Sequence, residues 1–151
     1  MDFLTNIGLI CALAGALAAQ DSRQDFIDEQ TAARAEVGVG PITWSRMVVA
    51  YAQKYADEPR GDCDLEHCGG PYGKNLVKGY GILSGRDSVK MWPGEKDNYD
   101  YCSNSCVGGE CLNYTQVVWR NLVRLGCARV KCDNRRWSPI LPAITDGERS
   151  Y

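Results

Sequence analysis

Apolar residues recur at helical spacing in two stretches near the start of the chain. The first follows Ser22, which has Asp25 three residues later, the arrangement of a capping box. Its apolar positions are Phe26, Ile27, Ala33 and Val37. The Gly-Val-Gly-Pro run at 38–41 ends this pattern, and the second stretch places Trp44, Val48, Ala52 and Tyr55 at similar spacing. The pattern therefore predicts two amphipathic helices.

Shorter elements follow along the chain. The Gly-Gly-Pro run at 69–71 predicts a turn, residues 75–79 a short strand, and residues 84–92 a third helix that Pro93 ends. Residues 114–119 predict a short helix, and the alternation from Leu125 to Val130 predicts a strand. Because helices and strands do not alternate regularly, the pattern favours an α+β domain over a doubly wound one.

The N-terminus has the pattern of an export signal. An apolar run covers residues 7–19 and changes abruptly to polar residues at Gln20. The run is too short to span a bilayer comfortably. We expect residues 1–19 to be a signal peptide and residues 20–151 to form one domain, the alternative being a buried N-terminal helix.

Composition and charge exclude some partners. The chain has 151 residues, with 17 basic and 19 acidic side chains and a net charge of −2. No long run of either sign is present. The sequence therefore predicts no nucleic-acid partner and no footprint for an anionic membrane surface.

Cysteine content indicates crosslinking. Of eight cysteines, Cys11 would leave with the signal, and seven remain, at positions 63, 68, 102, 106, 111, 127 and 132. Their spacing includes no Cys-x-x-Cys pair and the chain has one histidine, so a disulfide framework is favoured over a zinc site. Since seven is odd, at least one thiol is free or pairs between molecules, and spacing alone does not fix the connectivity.

Several runs resemble one protein family in its own order. They are AYAQKYAD at 50–57, HCGGPYG at 67–73, GEKDNYDY at 94–101, YTQVVW at 114–119 and LGCARVKC at 125–132. They resemble the plant pathogenesis-related class 1 proteins, which share a CAP domain with the cysteine-rich secretory proteins and the antigen 5 allergens. The resemblance covers about residues 20–132 and implies a three-layer α–β–α sandwich crosslinked by disulfides. Residues 133–151 form an atypical C-terminal segment, in which an island at 135–146 suggests a compensated reading-frame shift.

The resemblance also implies a cavity lined by two histidines and two acidic residues that often holds a divalent metal. His67 and Glu95 match two of these positions, whereas Lys74 replaces the other acid and Asn113 the other histidine. Because Lys74 reverses a charge and an amide is a poor substitute for imidazole, we expect no metal and no cofactor. Lys74 is expected to pair with Glu95 or to stay solvated. Asn113-Tyr114-Thr115 is also a glycosylation sequon, which we expect to stay unmodified because Asn113 would face the cavity.

Family members bind sterols or related lipids through an aromatic loop, which residues 97–102 resemble. Tyr99, Tyr101 and Trp92 are therefore candidate ligand-binding residues, since tyrosine suits an amphipathic ligand with one hydroxyl. The alternative is that these rings belong to the core, and for Trp92 that interpretation is preferred.

The resemblance implies two disulfides, Cys63–Cys132 and Cys106–Cys111. The family partner of Cys127 is absent from this chain, so Cys127 is left to pair with Cys68 or Cys102 or to remain free.

Together these features predict a secreted, non-enzymatic plant defence protein of the apoplast that binds sterol or a similar lipid of microbial membranes and has an antimicrobial role. One alternative is a divergent copy that keeps only a structural or peptide-binding role. Another is a metal-dependent hydrolase.

Overall fold

The computed structural model describes residues 22–58, 71–77 and 84–129, together with the backbone of residues 143–146. The predicted signal peptide at 1–19 lies outside these residues. So do the first two residues of the predicted turn at 69–71, and the side chains of the atypical segment at 133–151. Within the described ranges, no helix is long and apolar enough to cross a membrane.

The two helices predicted from the first part of the sequence are confirmed. Helix α1 spans Arg23–Glu36 and begins with the expected capping box, in which Ser22 and Asp25 exchange hydrogen bonds. Gly38 follows its end with a φ of 69°, the left-handed conformation in which glycine carries no steric penalty. Helix α2 spans Arg46–Asp57, and the side chain of Ser45 caps it.

The remaining elements are short. The strands are β1 (Thr43–Trp44), β2 (Tyr72–Asn75), β3 (Tyr99–Asp100), β4 (Ser105–Cys106), β5 (Arg124–Cys127) and β6 (Ala143–Asp146). The helices are α3 (Gly85–Lys90), a 3₁₀ helix (Pro93–Asn98) and α4 (Leu112–Val118).

Four strands form one sheet in the order β1-β5-β6-β2. Strand β1 runs parallel to β5, while β6 is antiparallel to both of its neighbours, β5 and β2. Strands β3 and β4 form a separate antiparallel hairpin. The order brings chain segments that are far apart in sequence side by side, so distant residues set the register of β2.

Helices cover both faces of the main sheet. On one face α2 lies so close to β5 that a Cβ added at Gly126 would stand 2.3 Å from the backbone nitrogen of Val49. On the other face α1 and α4 pack with Leu125 and Cys127 of the same strand, around a buried core that includes Trp92. Successive side chains of a strand point to opposite faces, which explains the division. The fold is a three-layer α–β–α sandwich, as the resemblance implied.

Several predicted boundaries are wrong. The strand expected at 75–79 instead covers Tyr72–Asn75, because pairing with β6 fixes its position. The third helix ends at Lys90, before Pro93 as expected, but Pro93 also begins the 3₁₀ helix, which the sequence did not predict and where its missing N–H costs nothing. The last predicted strand ends at Cys127 rather than at 130.

Candidate functional site

The carboxylate of Glu95 caps helix α4. Its Oε2 accepts hydrogen bonds from the backbone nitrogens of Asn113 at 3.0 Å and Tyr114 at 3.2 Å, and its Oε1 accepts one from Asn113 Nδ2 at 2.7 Å. Cys111, the residue at the N-cap position, makes no side-chain capping bond. Glu95 therefore supplies acceptors for first-turn N–H groups that the helix itself leaves unpaired.

The side chain of Lys74 lies on the face of strand β2 that is turned toward helix α2, not toward α4. Its side chain is only 4% exposed, and its Nζ stands 5.1 Å from the ring centroid of Tyr55 in α2. The next residue, Asn75, points toward α4 and donates from Nδ2 to the carbonyl of Asn113 at 2.9 Å. The expectation that Lys74 pairs with Glu95 or stays solvated is therefore wrong. Successive side chains of a strand point to opposite faces, so Lys74 points toward α2 while Asn75 points toward α4, the helix that Glu95 caps.

The described part of the predicted cavity does not fit a divalent cation. Glu95 and Asn113 are brought together, but N–H donors surround the carboxylate that a metal would need. Lys74 is directed elsewhere, and His67 lies outside the described residues. Among those residues, no group of three or more histidine, cysteine or acidic side chains could hold a metal ion.

Three tyrosines cluster beside the β3–β4 hairpin. The rings of Tyr99 and Tyr101 meet edge to face with centroids 4.5 Å apart, and the ring of Tyr114 lies 5.9 Å from that of Tyr99. The hydroxyls of Tyr101 and Tyr114 share a hydrogen bond. Burial raises the pKa of Tyr114, and the hydrogen bond to Tyr101 raises it further. The cluster thus combines apolar ring faces with the hydroxyl of Tyr114, which remains protonated at neutral pH.

Local hydrogen bonds shape the tip of the hairpin. The carboxylate of Asp100 accepts from the backbone nitrogens of Cys102 at 3.1 Å and Ser103 at 3.2 Å, and from the Ser103 hydroxyl at 2.5 Å. These bonds, with that of the Ser103 hydroxyl first, lower the pKa of Asp100. Asn104 adopts the left-handed conformation with a φ of 50° and accepts a hydrogen bond from the Tyr99 hydroxyl at 2.7 Å. The tip is therefore an ordered turn.

A disulfide joins Cys106 to Cys111 just after the hairpin, as the resemblance implied. The hairpin, the closed loop and the first residue of α4 expose three large apolar side chains, which we call the hairpin patch: Tyr101 (55% exposed), Val107 (59%) and Leu112 (64%). Exposed apolar side chains on an ordered, crosslinked segment are typical of a binding surface.

Trp92 does not contribute to this surface. It is 1% exposed and packs in the main core, with its Nε1 donating to the carbonyl of Leu76 at 3.4 Å. Trp92 is therefore a core residue, as the preferred interpretation had it, whereas Tyr99 is half-buried and Tyr101 is exposed. Val107, Leu112 and Tyr114 were missed by the sequence reasoning, although the disulfide that the resemblance implied between Cys106 and Cys111 placed a closed loop close to the tyrosines in sequence.

Two thiols are free within the described residues. Cys102 is exposed at the hairpin and Cys127 is buried in β5, so the pairing of Cys127 with Cys102 that the sequence left open does not form. Cys63, Cys68 and Cys132 lie outside the described residues, and the predicted bridge between Cys63 and Cys132 stays a prediction.

Comparison with known proteins agrees with the fold and with the resemblance. Residues 27–138 match the cysteine-rich secretory protein family, abbreviated CAP. The chain is 52% identical to the basic form of pathogenesis-related protein 1 of Nicotiana tabacum over 139 residues, which is 89% of this chain and 78% of the relative. It is 55% identical to a pathogenesis-related protein 1 of Arabidopsis thaliana over 127 residues, 82% of this chain and 78% of the relative. Among solved structures, venom allergen-like protein 4 of Schistosoma mansoni shares the fold with a TM-score of 0.59 at 23% identity, covering 85% of this chain and 91% of that one.

Proposed function

Because the chain belongs to the cysteine-rich secretory protein (CAP) family, within its plant pathogenesis-related class 1 group, we propose that it is a secreted defence protein that binds a sterol or a similar lipid. Its place of action is the plant apoplast, its ligand is a lipid of microbial membranes, and its role is antimicrobial. The ligand-binding surface is the hairpin patch together with Tyr99.

The exposed apolar side chains of the hairpin patch are the observation that carries this proposal. A sterol is a large apolar body with one hydroxyl, and it needs both an apolar surface and a polar group to orient it. Val107 and Leu112 supply apolar area, and the ring of Tyr101 adds more, with its hydroxyl already hydrogen-bonded to that of Tyr114. Since the Cys106–Cys111 bridge restrains the loop, little conformational entropy is lost when a ligand binds.

Two observations support a non-enzymatic role. Both carboxylate oxygens of Glu95 already accept hydrogen bonds, from the N-terminus of α4 and from the Asn113 side chain, and Glu95 is therefore poorly placed to act as a general base. Lys74 is packed against Tyr55 on the far side of the strand. The described cavity residues therefore do not form the convergent acid–base pair that a hydrolase needs.

Binding of a fluorescent sterol to purified protein tests the proposal. We expect Tyr101→Ala and Leu112→Ala each to weaken binding several-fold, since each removes exposed contact area. Met47→Ala is the matched control, because Met47 is 66% exposed and apolar but belongs to helix α2. Circular dichroism confirms that each variant is folded.

A well-folded wild-type protein that binds no sterol contradicts the proposal. That result favours a divergent copy with a structural or peptide-binding role, an alternative supported by the separation of Lys74 from Glu95 and Asn113. Hydrolytic activity lost on adding a chelator, or in His67→Ala, would instead indicate a metal-dependent hydrolase.

A further inference from the structure

A pocket of about 270 Å³ lies at the carboxyl end of two parallel strands, and none of its described lining residues belongs to the hairpin patch. Trp44 and Cys127 are the last residues of β1 and β5, and both line the pocket. Phe26 of α1 adds a ring nearly parallel to that of Trp44, with centroids 6.1 Å apart and planes that differ by 13°. At about 30 Å³ per water in the liquid, the volume suits a ligand of about ten heavy atoms.

The buried part of the pocket lining carries no charge. Among the described lining residues, the buried ones are Phe26, Cys127 and Ala128, whereas Arg23 and Arg129 are exposed. Burial raises the pKa of the Cys127 thiol, so the thiol stays protonated and packs as a small apolar group. A charge placed against this wall would lose its hydration without gaining a charged partner there, so the inner part of the pocket fits an uncharged apolar body.

Gln53 of α2 brings an amide group to the same pocket. Its Nε2 donates to Asp57 Oδ1 at 2.8 Å, which fixes one end of the amide. Its Oε1 accepts no hydrogen bond from any residue that the structure describes. An amide oxygen has two acceptor positions, so Gln53 can accept a hydrogen bond from a ligand hydroxyl.

We propose that this pocket binds a small, uncharged aromatic alcohol. The ring of the ligand packs against Phe26, Trp44 and Cys127, and its hydroxyl donates a hydrogen bond to Gln53 Oε1. An apolar pocket with one polar group that orients the ligand is the usual design of a small-molecule site. The site is separate from the hairpin patch, and the proposal does not rest on sterol binding.

The probe for the test is 3-phenylpropan-1-ol, which has the required size and a single hydroxyl. Its matched control is 3-phenylpropyl methyl ether, which keeps the ring and the oxygen but has no hydrogen to donate. Titration calorimetry on the full chain is expected to give a Kd of about 1 mM for the alcohol. The ether is expected to bind several-fold more weakly, because the hydrogen bond to Gln53 is lost. Absence of binding by the alcohol, or equal binding of the ether, overturns the proposal.

A pair of glutamine variants locates the hydroxyl. Gln53→Ala is expected to lose several-fold in affinity for the alcohol. Gln24→Ala is the matched control, because Gln24 is also exposed and donates from Nε2 to Asp28 at 2.6 Å, but does not line the pocket. Unchanged affinity in Gln53→Ala, or an equal loss in Gln24→Ala, overturns the assignment. Tyr101→Ala should bind the alcohol as wild type does, and a loss there would place the alcohol on the hairpin patch instead.

The two free thiols provide an independent readout in one sample. Modification by methyl methanethiosulfonate is followed at the two peptides by mass spectrometry. Saturating 3-phenylpropan-1-ol is expected to slow modification of Cys127 several-fold, while exposed Cys102 reacts at its usual rate. Equal rates at Cys127 with and without the alcohol exclude this pocket as the binding site. A Cys127 that does not react at all in the ligand-free protein shows that small molecules do not enter the pocket, and it too overturns the proposal.

Discussion

Replacing Glu95 by alanine removes three hydrogen bonds at once. The carboxylate accepts from the backbone nitrogens of Asn113 and Tyr114 and from the Asn113 side chain. Loss of a helix cap costs about 0.5–2 kcal/mol, and hydrogen bonds to a charged group contribute about 1.5–3 kcal/mol each when buried. Because Glu95 is only half-buried, water can replace part of what is lost, and we expect about 2–3 kcal/mol in total.

Glu95→Gln separates the charge from the geometry. The glutamine oxygen can still accept from the two backbone N–H groups, while its NH₂ can donate to Asn113 if the asparagine amide turns over. We therefore expect Glu95→Gln to cost less than about 1 kcal/mol. The control is Asp97→Ala, which removes an exposed carboxylate from the same 3₁₀ helix and should change stability by less than about 0.5 kcal/mol.

Urea unfolding followed by circular dichroism measures these differences. Thermal unfolding should show the same order, with a fall of roughly 2–4 °C in Tm per kcal/mol for a chain of this size. If Glu95→Ala unfolds within about 0.5 kcal/mol of wild type, Glu95 is not a structural cap and the reasoning fails. The same holds if the glutamine variant is as unstable as the alanine variant.

Three further outcomes are expected. Gly126→Ala should destabilise the fold by about 1–3 kcal/mol in urea, since its Cβ would stand 2.3 Å from the nitrogen of Val49, and a change under about 0.5 kcal/mol would mean that α2 can move away. Ser22→Ala should cost about 1 kcal/mol at neutral pH. The hydrogen bond from the Ser22 hydroxyl is the largest cause that lowers the pKa of Asp25 from 3.8, so it stabilises the folded protein only while Asp25 is ionised. The difference in unfolding free energy between Ser22→Ala and wild type should therefore narrow as pH falls below about 4. A difference that stays constant with pH would refute this. Asn113 should carry no glycan in the secreted protein, because its Nδ2 is bonded to a carboxylate oxygen at 2.7 Å, and a mass shift at its peptide on deglycosylation would show otherwise.

The accuracy of the sequence predictions depended on how local the signals were. Ser22 with Asp25 predicted the start of α1, and Gly38 its end, because caps and turns act within a few residues. The strand predicted at 75–79 was displaced because β2 takes its register from β6, about seventy residues later in the chain. Pro93 follows the end of α3, as predicted, and also begins the 3₁₀ helix, a start that the sequence did not predict.

In the candidate site, too, the sequence indicated some features and missed those that depend on distant contacts. Sequence alone identified the residues that depart from the family pattern, Lys74 and Asn113, and on that basis predicted that no metal binds there. It also singled out the tyrosines of the aromatic loop. It did not indicate that Glu95 would cap α4, because that contact joins residues eighteen positions apart.

The sequence by itself determined the family and the two long helices, and the resemblance to that family implied the Cys106–Cys111 disulfide. Only the tertiary structure decided that Lys74 faces Tyr55, that Tyr101 is exposed, and that Cys127 is a free, buried thiol. The reason is physical. Composition, caps and turn residues act over a few positions, whereas the direction of a side chain depends on strand register and on which distant element packs against that face.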